Sequence, residues 1–295
     1  MSKPDIVGLG YCTYDILAIV PRLPEFDDVH MVHVADLAHD GGGQVGTALV
    51  AAARLGARAG YVGVLDDDRE GHWLRDEFLR EGVDVARLRV QPGTGTNVCL
   101  ILVLCAARAD PEALRLDDED RAFLQAAGVL HLDGQFMPAA VQAARWARQA
   151  GVKVCFDGNH PRPGLEALLP LVDWLVVAEP FPAAQTGIEG PAQAARALLD
   201  LGPELLVVTL GERGCAVWTR QEHFQVPGFP VEAVDTTGAG DAFHGAFLYA
   251  MLQGWDLRRV ATFANAAAAL NCRALGGRRG LPSRAQVDDL LLAAG

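Results

Sequence analysis

Residues 234–247 read Val-Asp-Thr-Thr-Gly-Ala-Gly-Asp-Ala-Phe-His-Gly-Ala-Phe, a run that few folds can house. Gly238 and Gly240 flank Ala239, Asp241 follows at once, and Ala242, Phe243, Ala246, Phe247, Leu248, Ala250, Met251 and Leu252 are then apolar nearly all round. A helix apolar on every side is a buried one, so this is a loop opening a buried helix. The first amides of such a helix lack intrahelical acceptors, and the aligned peptide dipoles place partial positive charge there. Glycine lets an anion approach the backbone closely, which is why phosphate cradles use it. Asp241 falls in the first turn, positioned to accept the proton of a hydroxyl attacking a phosphoryl group held at that terminus. The terminus is expected to keep this carboxylate ionised. Taken singly, a glycine-rich turn and an acidic first turn are also ordinary helix-start chemistry.

The whole run Asp-Thr-Thr-Gly-Ala-Gly-Asp-Ala-Phe-His-Gly-Ala resembles, almost residue for residue, the C-terminal signature of the ribokinase-like (PfkB) carbohydrate kinases. In that family the Gly-Ala-Gly amides hold developing phosphate charge and the next aspartate is the catalytic base. The resemblance therefore implies those roles for Gly238, Ala239, Gly240 and Asp241. It further implies an α/β, ribokinase-like three-layer sandwich: a mainly parallel central sheet flanked by helices, with a small β lid, in one domain spanning 1–295. ATP and Mg²⁺ are the implied cofactors, with K⁺ as a third.

Composition narrows the partners. The 295 residues are ample for a full core, 51% are hydrophobic, and the formal charge is −12. Nucleic acid and anionic membrane surfaces are bound by clustered Lys and Arg, so neither is expected as a partner. Six scattered cysteines without a C-x-x-C pair read as reduced core thiols. Asp5 and Asp15 interrupt the early apolar residues, no signal peptide is discernible, and the longest apolar run, 98–107, is too short to span a bilayer. A cytoplasmic protein is the expectation.

Taken in order, residues 5–10 read as a buried strand ending in a glycine turn, and Asp15 stands among apolar neighbours. The resemblance makes Asp15 the leading sugar contact. Gly41-Gly42-Gly43 precede an alanine-rich helix closed by Gly56. The family carries its second motif here, implying substrate roles for Gly42, Gly43 and Thr47, although Thr47 replaces the usual asparagine. Residues 60–65 read as a strand, 66–71 as a solvated acidic turn and 72–80 as a helix. Residues 96–104 suit a strand outside the main alternation. With the earlier segment they would form the lid that the resemblance implies, over about 14–38 and 93–110, with Asn97 and Arg108 facing or rimming the substrate; Arg108 reads equally as an ordinary surface charge. Such a lid excludes water that would otherwise hydrolyse bound ATP.

From residue 117 strands and helices alternate regularly, as in a parallel sheet with right-handed crossovers. Polar residues recur at the strands' carboxyl ends, where open α/β sheets bind ligands, so Asp133, Gln135, Asp157 and Arg162 are candidates, each reading equally as a cap or turn residue. Ala178-Glu179-Pro180-Phe181 occupies the region of the family's Asn-x-x-Glu, leaving Glu179 as the Mg²⁺ candidate. This departure resembles the sub-branch containing sulfofructose kinase and ketohexokinase. The resemblance implies Thr209, Gly211, Gly214 and Asn265 as nucleotide-side candidates, a plain hairpin being the other reading of 209–214, and carries Asp235 and Thr237 over to a monovalent-cation site. Arg278 and Arg279 read either as part of the loop near the adenine or as a solvated pair.

The resulting expectation is an ATP-dependent kinase acting on a hydroxyl of a sugar or sugar-like molecule, and a homodimer joined through exposed lid edges. A nucleoside kinase on the same fold and a non-catalytic sugar or nucleotide sensor are the alternatives. A nicotinamide enzyme is disfavoured, because the glycines after the first strand do not form G-x-G-x-x-G.

Overall fold

The computed structural model describes residues 3–19, 36–101, 104–105 and 113–294. Its strands are β1 (Ile6–Leu9), β2 (Thr13–Ile19), β3 (Asp36–Gly42), β4 (Ala59–Leu65), β5 (Asp84–Val90), β6 (Val98–Ile101), β7 (Leu104–Cys105), β8 (Val129–Leu132), β9 (Lys153–Gly158), β10 (Trp174–Ala178), β11 (Leu205–Thr209), β12 (Cys215–Thr219) and β13 (His223–Val226). The helices are α1 (Gln44–Arg54), α2 (Arg69–Arg80), α3 (Asp118–Ala126), α4 (Met137–Gln149), α5 (Leu165–Leu168), α6 (Phe181–Thr186), α7 (Pro191–Asp200), α8 (Ala239–Leu252), α9 (Leu257–Asn271) and α10 (Arg284–Ala294).

One sheet has nine strands in the order β13-β12-β11-β10-β9-β8-β1-β4-β5. Every pairing from β11 through β5 is parallel, and only β11–β12 and β12–β13 are antiparallel. Parallel strands are covered on both faces and so read as near-continuous apolar runs. Period-two alternation then sends their side chains to two separate cores. Val129, Cys155, Trp174, Val176, Leu205 and Val207 join one core with residues of α1, α8 and α9. Leu130, Val154, Phe156, Leu175 and Leu206 join the other with residues of α4 and α7.

A second sheet, β3-β2-β6-β7, has β2 parallel to β6 and antiparallel to β3. It occupies the expected lid segments, with one difference. β3 reaches Gly42, because residues 40–42 stay paired with 13–15, and runs almost directly into α1. Arg108, and the parts of the lid expectation at 20–35, 102–103 and 106–110, lie outside the described residues. Helix α2 starts three residues earlier than expected, because the Asp68 side chain caps it by accepting from Gly71 N at 2.7 Å. The acidic turn before it is held by Asp66, which accepts from Gly93 N and Gly95 N. Of the cysteines, Cys12, Cys155 and Cys215 are buried free thiols, whereas Cys99 and Cys272 are only half-buried.

The central packing contact is between α8 and α1. At Gly245 a Cβ would stand 2.3 Å from Ala48 O and 2.6 Å from Ala51 Cβ, so glycine is what lets the two backbones approach. Gly245→Ala should therefore lower the unfolding free energy by about 1–3 kcal/mol through overpacking, measured by urea denaturation. An unchanged midpoint would show that the helices separate at no cost.

Candidate active site

The site grows from the register of β8 and β9. His131 pairs with Cys155 across these strands, and two residues further on, at the carboxyl ends, come Asp133 and Asp157, both nearly inaccessible. Helix α8 lies over this face: His244 Nε2 is 3.3 Å from Asp157 Oδ1, and its ring centroid is 5.3 Å from that of His131. Asp241 sits one turn earlier, at the open end of the helix. Gly238, which caps α8, has φ 72°, and a Cβ there would lie 2.7 Å from Gly277 backbone atoms. Glycine is required on both counts.

Asp241 is partly exposed, and the helix terminus is not the largest influence on its titration. Burial first, then the charges of Asp157, Asp133 and Asp15, push its pKa well above the ordinary carboxylate range against the opposing pull of Arg278. The helix terminus is thus outweighed by desolvation and by neighbouring acids. Asp133 behaves alike: burial raises it to about 6, although its carboxylate accepts from Tyr11 N and Gln135 N. Asp157 goes the other way. Burial opposes its ionisation, but the adjacent His244 brings it below the usual value.

On the acceptor side, Asp15 is buried, its Oδ1 has no hydrogen-bond partner, and burial raises its pKa. Arg162 is half-buried and near enough to act on the charge of Asp133. Asn97 is buried, and its carbonyl accepts from Tyr14 N. Gly43 precedes α1 as its cap, and the Gly42 carbonyl accepts from Arg278 Nη2 at 2.7 Å. Thr47 is fully buried and its hydroxyl accepts from Arg278 Nε at 3.3 Å. It therefore acts first as a support for that arginine.

Arg278 itself corrects the reading of a solvated pair. It is 1% exposed, whereas Arg279 is exposed. Its guanidinium meets Glu77 Oε2 at 2.5 Å and lies 5.0 Å from the Phe78 ring centroid, and its backbone N–H donates to Asp40. Arg54, bound bidentately to Glu81, donates to the carbonyls of Arg278 and Leu281. The loop after α9 is thereby tied to α1, α2 and β3. No local sequence signal marks this arginine, since its partners are 201 to 238 residues away.

On the other side of the α8 terminus lies a cavity of about 580 Å³, lined by Thr209, Gly211, Gly214, Ala239, Gly240, Asn265 and further residues, a size that suits a nucleotide. Asn265 Nδ2 donates to the carbonyls of Val226 and Pro227, and Thr209 Oγ1 to Val177 O. Glu179 is paired through both oxygens with Arg213 Nη2 at 2.6 and 2.5 Å, an exposed ion pair that solvent screens and that holds the carboxylate only weakly. Asp235 accepts from Thr237 N, Thr237 Oγ1 and Gly276 N. Burial opposes its ionisation, but these donors bring its pKa below the ordinary value.

A family model described as pfkB family carbohydrate kinase matches residues 3–284. The chain is 30% identical over 283 residues to an ATP-dependent ribose-1-phosphate kinase of Halopiger xanaduensis, covering 92% of this chain and 93% of that one. The structure of Arabidopsis thaliana ribokinase complexed with ribose and ATP superposes with a TM-score of 0.85 at 26% identity, over 98% of this chain and 99% of the other. Aminoimidazole riboside kinase from Salmonella enterica, complexed with its riboside and an ATP analog, gives 0.79 at 26% identity, over 97% and 99%.

Two consequences can be measured. A carboxylate whose folded pKa is raised costs no stability below the unfolded value of 3.8 and costs progressively more as pH rises through its folded pKa. Asp241→Asn should therefore melt higher than the parent chain at pH 7, with the difference vanishing below about pH 4; a constant gap would contradict the raised pKa. Arg278→Ala leaves Glu77 buried without its partner and should cost about 3–5 kcal/mol, most of it recovered in the doubly apolar variant Arg278→Met/Glu77→Leu, as read by denaturant unfolding.

Proposed function

Because the chain belongs to the pfkB family of carbohydrate kinases, with its ribokinase-like α/β fold, and is an ATP-dependent carbohydrate kinase, we propose that it transfers the γ-phosphoryl group of ATP to a hydroxyl of a sugar or sugar-like acceptor, with Asp241 as the base. One observation carries this reading. The nucleotide-sized cavity and the row of buried carboxylates meet at the same helix terminus, Ala239 to Asp241.

In this reading the cavity takes the nucleotide, with Thr209, Gly211, Gly214 and Asn265 on its wall. The amides of Gly238, Ala239 and Gly240 face the transferring group and stabilise its charge. Asp15, with an oxygen that lacks a donor, accepts from an acceptor hydroxyl; Asp133, Asn97, Gly42, Gly43 and Arg162 complete that side, and the smaller sheet closes over it. Asp241 then takes the hydroxyl proton. Its raised pKa makes it a stronger base once deprotonated, and phosphoryl transfer through a loose transition state asks more of positioning than of the base. Mg²⁺ supplies charge neutralisation at the ATP phosphates when bound, and because it dehydrates reluctantly, Glu179 would reach it through water. Asp235 and Thr237 are assigned to the K⁺ position on the same footing. Assembly of the chain as one domain, a homodimer through the smaller sheet, and a cytoplasmic setting belong to this proposal. Among the described residues no helix is long and apolar enough to cross a membrane.

The test is ADP release from ATP and Mg²⁺ across a panel of ketoses, pentoses, sulfosugars and nucleosides, in K⁺ and in Na⁺. Acceptor-dependent turnover is expected, reduced roughly 100-fold or more in Asp241→Asn. Turnover should also fall, as pH is lowered, at a value above the ordinary carboxylate range. Binding of nucleotide and sugar without turnover of any acceptor would overturn the assignment of Asp241 and leave a sensor.

A further inference from the structure

Beneath the proposed base, on the same face of the sheet, His131, Cys155 and His244 form a buried trio in which a ligand atom from each lies within 4.8 Å of the other two. His131 and Cys155 are register partners on adjacent parallel strands, and α8 brings His244 down onto them. Both ring nitrogens of His131 and Nδ1 of His244 are buried without a hydrogen-bond partner. An apolar core has no use for such groups, because a buried nitrogen that lost its water and found nothing else is a standing cost. The remaining nitrogen of His244, Nε2, faces Asp157 at 3.3 Å. That arrangement is how a metal-binding imidazole is usually held: one nitrogen is engaged by a carboxylate, which orients the ring and leaves the other nitrogen to the metal.

We propose that His131, Cys155 and His244 form a binding site for a borderline-to-soft transition-metal ion such as Zn²⁺, with Asp157 orienting His244, separate from the Mg²⁺ that accompanies ATP. Two imidazoles and a thiolate select such an ion over hard cations, which take oxygen ligands. Bond lengths of about 2.0–2.3 Å place tetrahedral ligands roughly 3.5 Å apart, so from a span of 4.8 Å the trio must contract by up to about 1.3 Å, a change within the reach of side-chain adjustment. Three protein ligands leave one corner for a small ligand such as water. On binding, the Cys155 proton leaves to solvent and the thiolate coordinates; no redox change is involved. The site would pin α8 to β8 and β9 one turn below Asp241.

The experiment uses the full chain, free of any histidine tag, titrated with Co²⁺ as a spectroscopic stand-in for Zn²⁺. One equivalent should produce a near-ultraviolet thiolate-to-cobalt charge-transfer band with visible bands of tetrahedral intensity. Both should be displaced by Zn²⁺ and unaffected by millimolar Mg²⁺. Cys155→Ser should abolish the charge-transfer band, whereas Cys272→Ser should keep it. Asp157→Asn, which removes no ligand, should weaken Zn²⁺ affinity about 10- to 100-fold in competition with a chromophoric chelator. Should Cys155→Ser fail to fold by circular dichroism, His244→Asn serves in its place, with the loss of tight Zn²⁺ binding as the readout. No band in the folded parent chain at one equivalent, or a band that survives in Cys155→Ser, would overturn the proposal and leave the trio as a polar cluster supporting Asp241.

Discussion

The buried contact between Arg278 and Glu77 holds the site together. A guanidinium inside a protein must be matched by acceptors on nearly every side, and this one finds Glu77 on α2, the Gly42 carbonyl at the end of β3 and Thr47 on α1. Four separately formed pieces of chain, including the loop after α9, are obliged to meet at one point. Two of them carry proposed ligand contacts: β3 leads to Gly42 and Gly43, and the loop places Gly277 against Gly238. Loss of this one side chain would loosen the acceptor side and the anion cradle together.

Around that cation the interior is acidic. Asp15, Asp40, Asp133, Asp157 and Glu77 are all buried, and their mutual repulsion, added to desolvation, raises several of their pKa values. Hydrogen-bond donors relieve that strain, and an acceptor rich in hydroxyls brings many. The same desolvation that lifts the pKa of Asp241 strengthens any charge it interacts with, as in other water-poor sites.

Much of this was legible in the chain. The run from Asp235 to Ala246 located the helix terminus because glycine, acid and apolar residues each carry a local physical meaning there. The parallel strands were visible as apolar runs ending in Asp133 and Asp157. What could not be read was set by distant pairing. Arg278 looks like a solvated residue until its partners, more than two hundred positions away, are brought to it. His131, Cys155 and His244 carry no shared spacing, and only the register of β8 with β9 and the rotation of α8 unite them. The titration of Asp241 is hidden in the sequence for a related reason: the dipole effect is local and visible, whereas the burial and the facing carboxylates that oppose it are tertiary. The early start of α2 was a smaller lapse, since Asp68 stands at the cap with Glu70 and Gly71 following it.

The close seating of α8 on α1 at Gly245 also bears on how such a chain can change over generations. Where two backbones touch, neither helix can be re-angled by ordinary side-chain replacement, so the α8 terminus proposed to hold the phosphoryl group is insulated from drift. The strands β2 and β3 carry Asp15 and Gly42, which belong to the proposed acceptor side. On the proposed assignment, rewriting those strands would exchange one acceptor for another while the helix terminus stays as it is.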